Sequence, residues 1–285
     1  MSKKIIKRKG IFNTHKKGIT ILFAILIVVG FVVFLFVLNR QDEPIVLFAE
    51  SAIVIRADDG TILFEKEPNL SLYPASTTKL MAVVLVFEKI ENNSLDLHDM
   101  VTISPPAAYI NASRAGFAAG DIVSVYDLIM AAMLPSGSDA VMALGEHIFG
   151  SEAVFVAAMN EKAQEIGMVN TFFTNSVGLD DANHQTTAYD LSILARYAIL
   201  RHPNILHFTS TQTHIYGDMV MRNTNDMLHL DGITGLKTGS SPMAGSSLIF
   251  TYSGRNNKTL IFVVLSSPTQ DLRRFDSLTL LEAFR

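Results

Sequence analysis

Ser76-Thr77-Thr78-Lys79 stands at the head of an apolar run, Leu80, Met81, Val83, Val84, Val86 and Phe87, that predicts a helix from Ser76 to about Glu91. Residues three apart share a helical face, so the Ser76 hydroxyl and the Lys79 amine fall side by side. The apolar residues behind them would sink the helix into a core and hold both heads still. A serine hydroxyl is a weak nucleophile until a neighbour takes its proton. A lysine can take it only if burial or a second cation lowers its pKa. Read as chemistry, the stretch calls for a second cation, an oxyanion site and a proton relay elsewhere in the chain. The simpler reading makes Ser76 an N-cap and leaves Lys79 on a solvated face.

Outward from this stretch, residues 51–56 and 61–64 are β-rich and flank Asp58-Asp59-Gly60, a hairpin signal. Pro68 and Pro74 punctuate the approach to Ser76. Residues 92–120 are mixed and turn-rich. Helical spacing follows over 124–133, 139–148, 152–166 and 188–200. Strand character returns over 234–237, 246–252 and 258–266, with Gly254-Arg255-Asn256-Asn257 as the turn between the last two, and 272–284 reads as a final helix. Strands at both chain ends with helices between predict an α+β fold: one antiparallel sheet built from the two ends, and a helical subdomain between them.

The chain has 285 residues, 49% hydrophobic, a formal net charge of −4 and no cysteine. A sizeable core is therefore available, while disulfides, thiolate metal sites and a cysteine nucleophile are excluded. Basic residues concentrate at the N-terminus (Lys3, Lys4, Lys7, Arg8, Lys9, Lys16, Lys17), and nothing suggests a nucleic-acid surface. An uncharged run from Gly18 to Leu38 follows them. At about 1.5 Å per residue it is just long enough to cross a hydrocarbon core of about 30 Å. It ends without the small residues of a cleavage site, so an uncleaved anchor is expected over 18–38, with the basic segment 1–17 inside. Residues 39–48 read as a linker and 49–285 as a domain outside the cytoplasm.

Two further stations answer the call of Ser76. Lys237-Thr238-Gly239 supplies a second cation, and Gly239 lets another chain or a ligand approach closely; the alternative is a lysine on an exposed strand edge. Ser136-Gly137-Ser138 lies between two helices. There Ser136 offers a hydroxyl relay, or the segment is a turn with Ser138 and Asp139 as caps. The eight histidines form no H-E-x-x-H or similar cluster and read as structural or surface residues.

The order Ser76, Ser136, Lys237 resembles the S-x-x-K, S-x-N, K-T-G series of the active-serine penicillin-recognising enzymes. Tyr73-Pro74-Ala75 before Ser76, Pro135-Ser136-Gly137-Ser138-Asp139-Ala140, Gly167-Met168-Val169-Asn170-Thr171-Phe172-Phe173, Asn175, Gly178-Leu179, Thr187-Ala188-Tyr189-Asp190 and Asp231-Gly232 look like one branch. This branch is the serine-type D-alanyl-D-alanine carboxypeptidases, the low-molecular-mass penicillin-binding proteins. The resemblance covers about 49–285.

It implies a β-lactamase/transpeptidase-like fold, hydrolysis of a peptidoglycan stem peptide ending in D-Ala-D-Ala, acylation of Ser76 by β-lactams, and no metal or cofactor. It further implies that the backbone N–H groups of Ser76 and Ser240 meet the oxyanion, and that Lys237 and Thr238 hold the terminal carboxylate. Arg222, Arg273 and Arg274 could also meet an anionic substrate, or be plain surface charges. One departure is evident: Ser138 stands where the family usually has Asn, whose amide can serve both substrate and catalytic lysine. The chain is also expected to stop at the end of the catalytic domain, with the N-terminal anchor replacing a C-terminal one. A serine β-lactamase and a weakened wall-binding scaffold are the rival readings. The absence of Glu from 167–181 speaks against the first, and Ser138 is the sequence feature that favours the second.

Overall fold

The computed structural model describes residues 26–31, 44–254 and 258–285. Most of the expected membrane segment 18–38, the basic segment 1–17 and the tip of the 254–257 turn lie outside these residues. Residues 26–31 are helical. Among the described residues no single helix is long and apolar enough to cross a membrane.

Leu47–Arg285 forms one compact unit. Its centre is a five-stranded antiparallel sheet made of β1 (Ser51–Arg56), β2 (Ile62–Lys66), β7 (Ile233–Ser241), β8 (Gly245–Ser253) and β9 (Thr259–Ser267), in the order β2-β1-β9-β8-β7. The two chain ends thus meet in one sheet, as the sequence predicts. The central strands are buried on both faces, which is why they read as near-continuous apolar runs. Ile53, Ile55, Ile249, Ile261, Val263 and Leu265 point to the helical body. On the other face Phe250 stacks on Phe262 at 4.5 Å between ring centres, under α8 (Gln270–Phe284). That helix is fastened by its buried Asp276, whose carboxylate accepts from the N–H groups of Phe48 and Ala49, each at 2.8 Å, and from Ser267 Oγ at 2.7 Å.

The helical body contains α1 (Lys79–Glu91), α2 (Pro105–Ala108), α3 (Val125–Met133), α4 (Ser138–Phe149), α5 (Glu152–Glu165), α6 (Ala188–Arg201) and α7 (Ile205–Ser210). Helix α1 runs through its centre, with every residue from Lys79 to Phe87 buried. Five of the described helices begin on a Ser or Thr whose side chain accepts the N–H three residues on: Ser104, Ser124, Ser151, Thr187 and Thr269 for α2, α3, α5, α6 and α8.

Two short ribbons lie in segments between the helices to which the sequence assigns no strand. One pairs β3 (Met100–Thr102) with β4 (Ile122–Ser124), the other β5 (Thr213–Tyr216) with β6 (Met219–Arg222). Strands of three and four residues carry too little alternation to stand out from a turn-rich segment. Strand β7 also outruns the expected 234–237, because its second half has Gly and Ser where a buried strand normally carries apolar residues.

Candidate active site

The Ser-x-x-Lys stretch folds as a 3-10 turn, Ala75–Thr78, leading into α1. In a 3-10 turn residues three apart eclipse, a tighter juxtaposition than an α-helix gives. Lys79 Nζ stands 2.8 Å from Ser76 Oγ and donates to the Val177 carbonyl, also at 2.8 Å. The capping alternative is not what the turn shows: Thr78 occupies the N-cap position of α1 and its side chain makes no cap hydrogen bond.

The two middle residues of the stretch anchor it. Thr77 Oγ1 donates to the Pro74 carbonyl at 2.7 Å. Thr78 Oγ1 receives a hydrogen bond from His184 Nε2 at 2.9 Å, a direction fixed because His184 Nδ1 accepts from the Thr174 N–H at 3.0 Å. Burial lowers the His184 pKa to about 4, keeping the ring neutral. The segment 174–181 braces the turn from the other side. Asn175 Oδ1 accepts from the N–H groups of Val177, Gly178 and Leu179, and so curls the backbone that presents the Val177 carbonyl to Lys79. Ala75 is held in the left-handed region at φ 46°, a strained state for a residue with a Cβ.

Lys79 is 1% exposed. Burial pushes its pKa well below the usual lysine value, and the nearby charge of Lys237 pushes it further, against a smaller pull from Asp139. Lys237 is also 1% exposed. Burial and the Arg273 guanidinium lower it to about 7. Lys237 thus stands close enough to Lys79 for its charge to act on it. The exposed-edge alternative fails, because β7 is an edge strand whose lysine points inward. Thr238 Oγ1 lies 2.6 Å from Thr224 Oγ1. At Gly239 an added Cβ would stand 2.8 Å from the Pro74 carbonyl, so β7 passes the Ser76 turn backbone to backbone and brings Ser240 beside it. Arg273 is buried and pairs with Asp226 at 3.0 Å, Arg274 lies 3.8 Å from the same carboxylate, and Arg222 is exposed on β6.

Ser136 adopts φ 64°, and its buried hydroxyl has no partner. The capping alternative for this segment is corrected by the structure. Gly137 is the N-cap of α4, Ser138 is the first helical residue, and neither Ser138 nor Asp139 caps the helix from outside. Asp139 instead accepts from the N–H groups of Ala115, Gly116 and Phe117, tying the 113–117 loop to the Ser136 turn. Ser138 is fully buried, and its hydroxyl lies 3.5 Å from Ser113 Oγ. The hydrogen bonds of Lys79 go to Ser76 and Val177, not to Ser138.

Sequence reading missed Ser113, Asn175, Val177, His184 and Thr224. Val177 acts through its carbonyl, which no side-chain pattern reports. The others are polar loop residues whose partners lie far along the chain. Among the described residues no three His, Asp or Glu side chains converge as metal ligands do.

A hydroxyl against a sealed amine, with a second lysine strand and a serine turn on either side, under a sheet closed by both chain ends, defines the active-serine penicillin-recognising class. Comparison with known proteins narrows this. The chain belongs to the D-alanyl-D-alanine carboxypeptidase family, whose model matches residues 39–269. It is 33% identical over 241 residues to the D-alanyl-D-alanine carboxypeptidase DacF of Bacillus subtilis, covering 81% of this chain and 60% of that protein. Penicillin binding protein 5 of Haemophilus influenzae superposes with a TM-score of 0.82 at 32% identity, over 85% of this chain and 72% of that one. Penicillin-Binding Protein D2 of Listeria monocytogenes, solved in its ampicillin-bound form, gives a TM-score of 0.77 at 31% identity over 84% and 98%. The chain spans about three fifths of the length of the curated relatives it matches first.

Proposed function

We propose that this protein is a serine D-alanyl-D-alanine carboxypeptidase, held at the bacterial membrane by residues 18–38, that removes the terminal D-alanine from peptidoglycan stem pentapeptides. The observation that carries the reading is the 2.8 Å approach of Ser76 Oγ to an amine sealed from solvent. Burial favours the neutral amine over the ammonium, and a neutral amine has the lone pair that a base needs.

In this mechanism Lys79 takes the Ser76 proton as Oγ attacks the carbonyl of the penultimate D-alanine. The oxyanion forms between the Ser76 turn and β7, where the N–H groups of Ser76 and Ser240 receive it. Removal of one such donor typically costs about 3–4 kcal/mol of barrier. The proton held by Lys79 passes through Ser136 to the nitrogen of the departing D-alanine. Lys237 and Thr238 hold the terminal carboxylate, whose negative charge favours the protonated form of Lys237. Water then opens the ester on Ser76. Ser76 would likewise be acylated by β-lactams, a proposal supported by the ampicillin-bound Listeria relative. The basic flank and apolar run of the first 38 residues support the membrane assignment.

The test is D-alanine release from a pentapeptide ending in D-Ala-D-Ala, together with labelling by a fluorescent penicillin. Wild type should release D-alanine and take the label, and Ser76→Ala should do neither. Rapid turnover of the penicillin itself would replace this reading with a β-lactamase.

A further inference from the structure

The hydroxyl expected to deliver a proton, Ser136 Oγ, is buried, has no hydrogen-bond partner and sits on a left-handed backbone. A serine pays about 1–3 kcal/mol for such a conformation and keeps it only where its surroundings impose it. The residue that imposes it here comes from another part of the chain. Ser113, in the loop between α2 and β4, donates from Oγ to the Ser136 carbonyl at 2.6 Å. Its own carbonyl accepts from the Ser138 N–H at 2.7 Å. Its hydroxyl also lies within hydrogen-bond reach of the buried Ser138 Oγ, at 3.5 Å. One side chain and its backbone thus clasp the Ser136-Gly137-Ser138 turn on both sides of Gly137. The clasp is backed by Asp139, which accepts from the N–H groups of Ala115, Gly116 and Phe117, at 2.9, 2.8 and 3.3 Å. Gly137 leaves no slack, since an added Cβ would stand 2.8 Å from the Asp139 carboxylate and 2.9 Å from the Ala131 carbonyl.

We propose that Ser113 is a positioning residue for proton delivery to the leaving group: its hydroxyl holds Ser136 so that Oγ points into the site rather than back to its own turn. The inference rests on the carboxypeptidase reading above. It concerns one step. When the tetrahedral intermediate collapses, the C–N bond of the D-Ala-D-Ala amide breaks while the ester to Ser76 Oγ remains. The proton that Lys79 took from Ser76 reaches that nitrogen through Ser136, which gives up its own proton and takes one from Lys79. An amide nitrogen cannot leave without that proton. A thiolate leaves a thioester without one. Loss of positioning therefore falls on amides and spares thioesters, whereas general damage to the site falls on both. Ser113 is itself exposed, so replacing it leaves the core untouched.

The experiment compares kcat/KM on a D-Ala-D-Ala peptide and on a thioester carrying the same acyl group, for the full chain, wild type, Ser113→Ala and Ser113→Thr. General acid catalysis contributes about 100-fold or more, and misplacing rather than deleting the acid should cost about ten-fold. Ser113→Ala should lower amide turnover by about ten-fold while thioester turnover stays within about two-fold, and Ser113→Thr, which keeps the hydroxyl, should restore the wild-type ratio. An equal fall on both substrates, no fall on either, a threonine variant as impaired as the alanine one, or failure of Ser113→Ala to fold overturns the proposal alone. Wild-type protein that turns over neither substrate overturns the carboxypeptidase reading, and this proposal with it.

Discussion

The α-carbon of Gly178 faces the carbonyl of Ala75 so closely that a Cβ at Gly178 would overlap the Ala75 oxygen. Both residues are left-handed, at φ 89° and 46°. The loop that presents the Val177 carbonyl to Lys79 is thus seated on the backbone just before Ser76. Gly178→Ala should destabilise the protein by about 2–4 kcal/mol, from combined overlap and left-handed strain. It should also slow penicillin labelling, because any relief moves either Ser76 or the acceptor of Lys79. Denaturant melts and labelling rates on the same preparation check both; a variant with wild-type values would show that the loop yields without moving the turn.

Lys79 is costly to bury, and the fold does not need its charge. Lys79→Met keeps the volume and removes the desolvation cost, so its melting temperature should equal or exceed that of wild type while labelling is lost. Ser76→Ala should melt as wild type and also take no label. Loss of stability in the methionine variant would mean that the two hydrogen bonds of Lys79 outweigh its burial.

Lys237 depresses the Lys79 pKa from a distance, and is itself lowered to about 7. Lys237→Gln should therefore move the acidic limb of the acylation profile to higher pH, since Lys79 loses the second cause of its depression. Stability should respond too. Between about pH 7 and the usual lysine value, the unfolded chain holds the Lys237 proton and the folded one does not. Wild-type stability therefore gains with rising pH across that window, by at most about 1.4 kcal/mol per pH unit from this group, and the glutamine variant lacks the gain.

His184 has the same sign on the acid side. Its folded pKa is about 4, against about 6.5 for a free histidine. As pH falls from about 6.5 to 4, the unfolded chain takes up a proton that the folded chain refuses, so stability falls across that window and levels off below it. In His184→Gln this contribution to the slope should vanish, at the cost of the Thr78 and Thr174 contacts. Melts from pH 4 to 7 on both proteins measure it.

The predicted helix at Ser76, the strands at both ends and the closing helix were legible because each is long and periodic. The ribbons 100–102 with 122–124 and 213–216 with 219–222 were not, because their strands are too short to show a period. Tyr216-Gly217-Asp218-Met219 was nonetheless a readable two-residue hairpin turn. Within the site, motif residues could be read one by one, but not their supports. Ser113 and His184 are ordinary polar residues in loops, and only distance in space gives them a function.

Sequence alone determined the chemistry available: one hydroxyl three residues from a lysine, a serine turn, a second lysine strand, and apolar runs at both ends able to share a sheet. Those are local facts of spacing and residue type. Tertiary structure decided which alternative each residue took. It sealed Lys79 and Lys237 from water, which turns two surface-like lysines into one depressed pair. It made Asp139 a clamp on the 115–117 loop instead of a helix cap. It left the Ser136 hydroxyl unpaired beneath Ser113. Burial and long-range hydrogen bonds set these outcomes, and both depend on neighbours that the chain brings together only when folded.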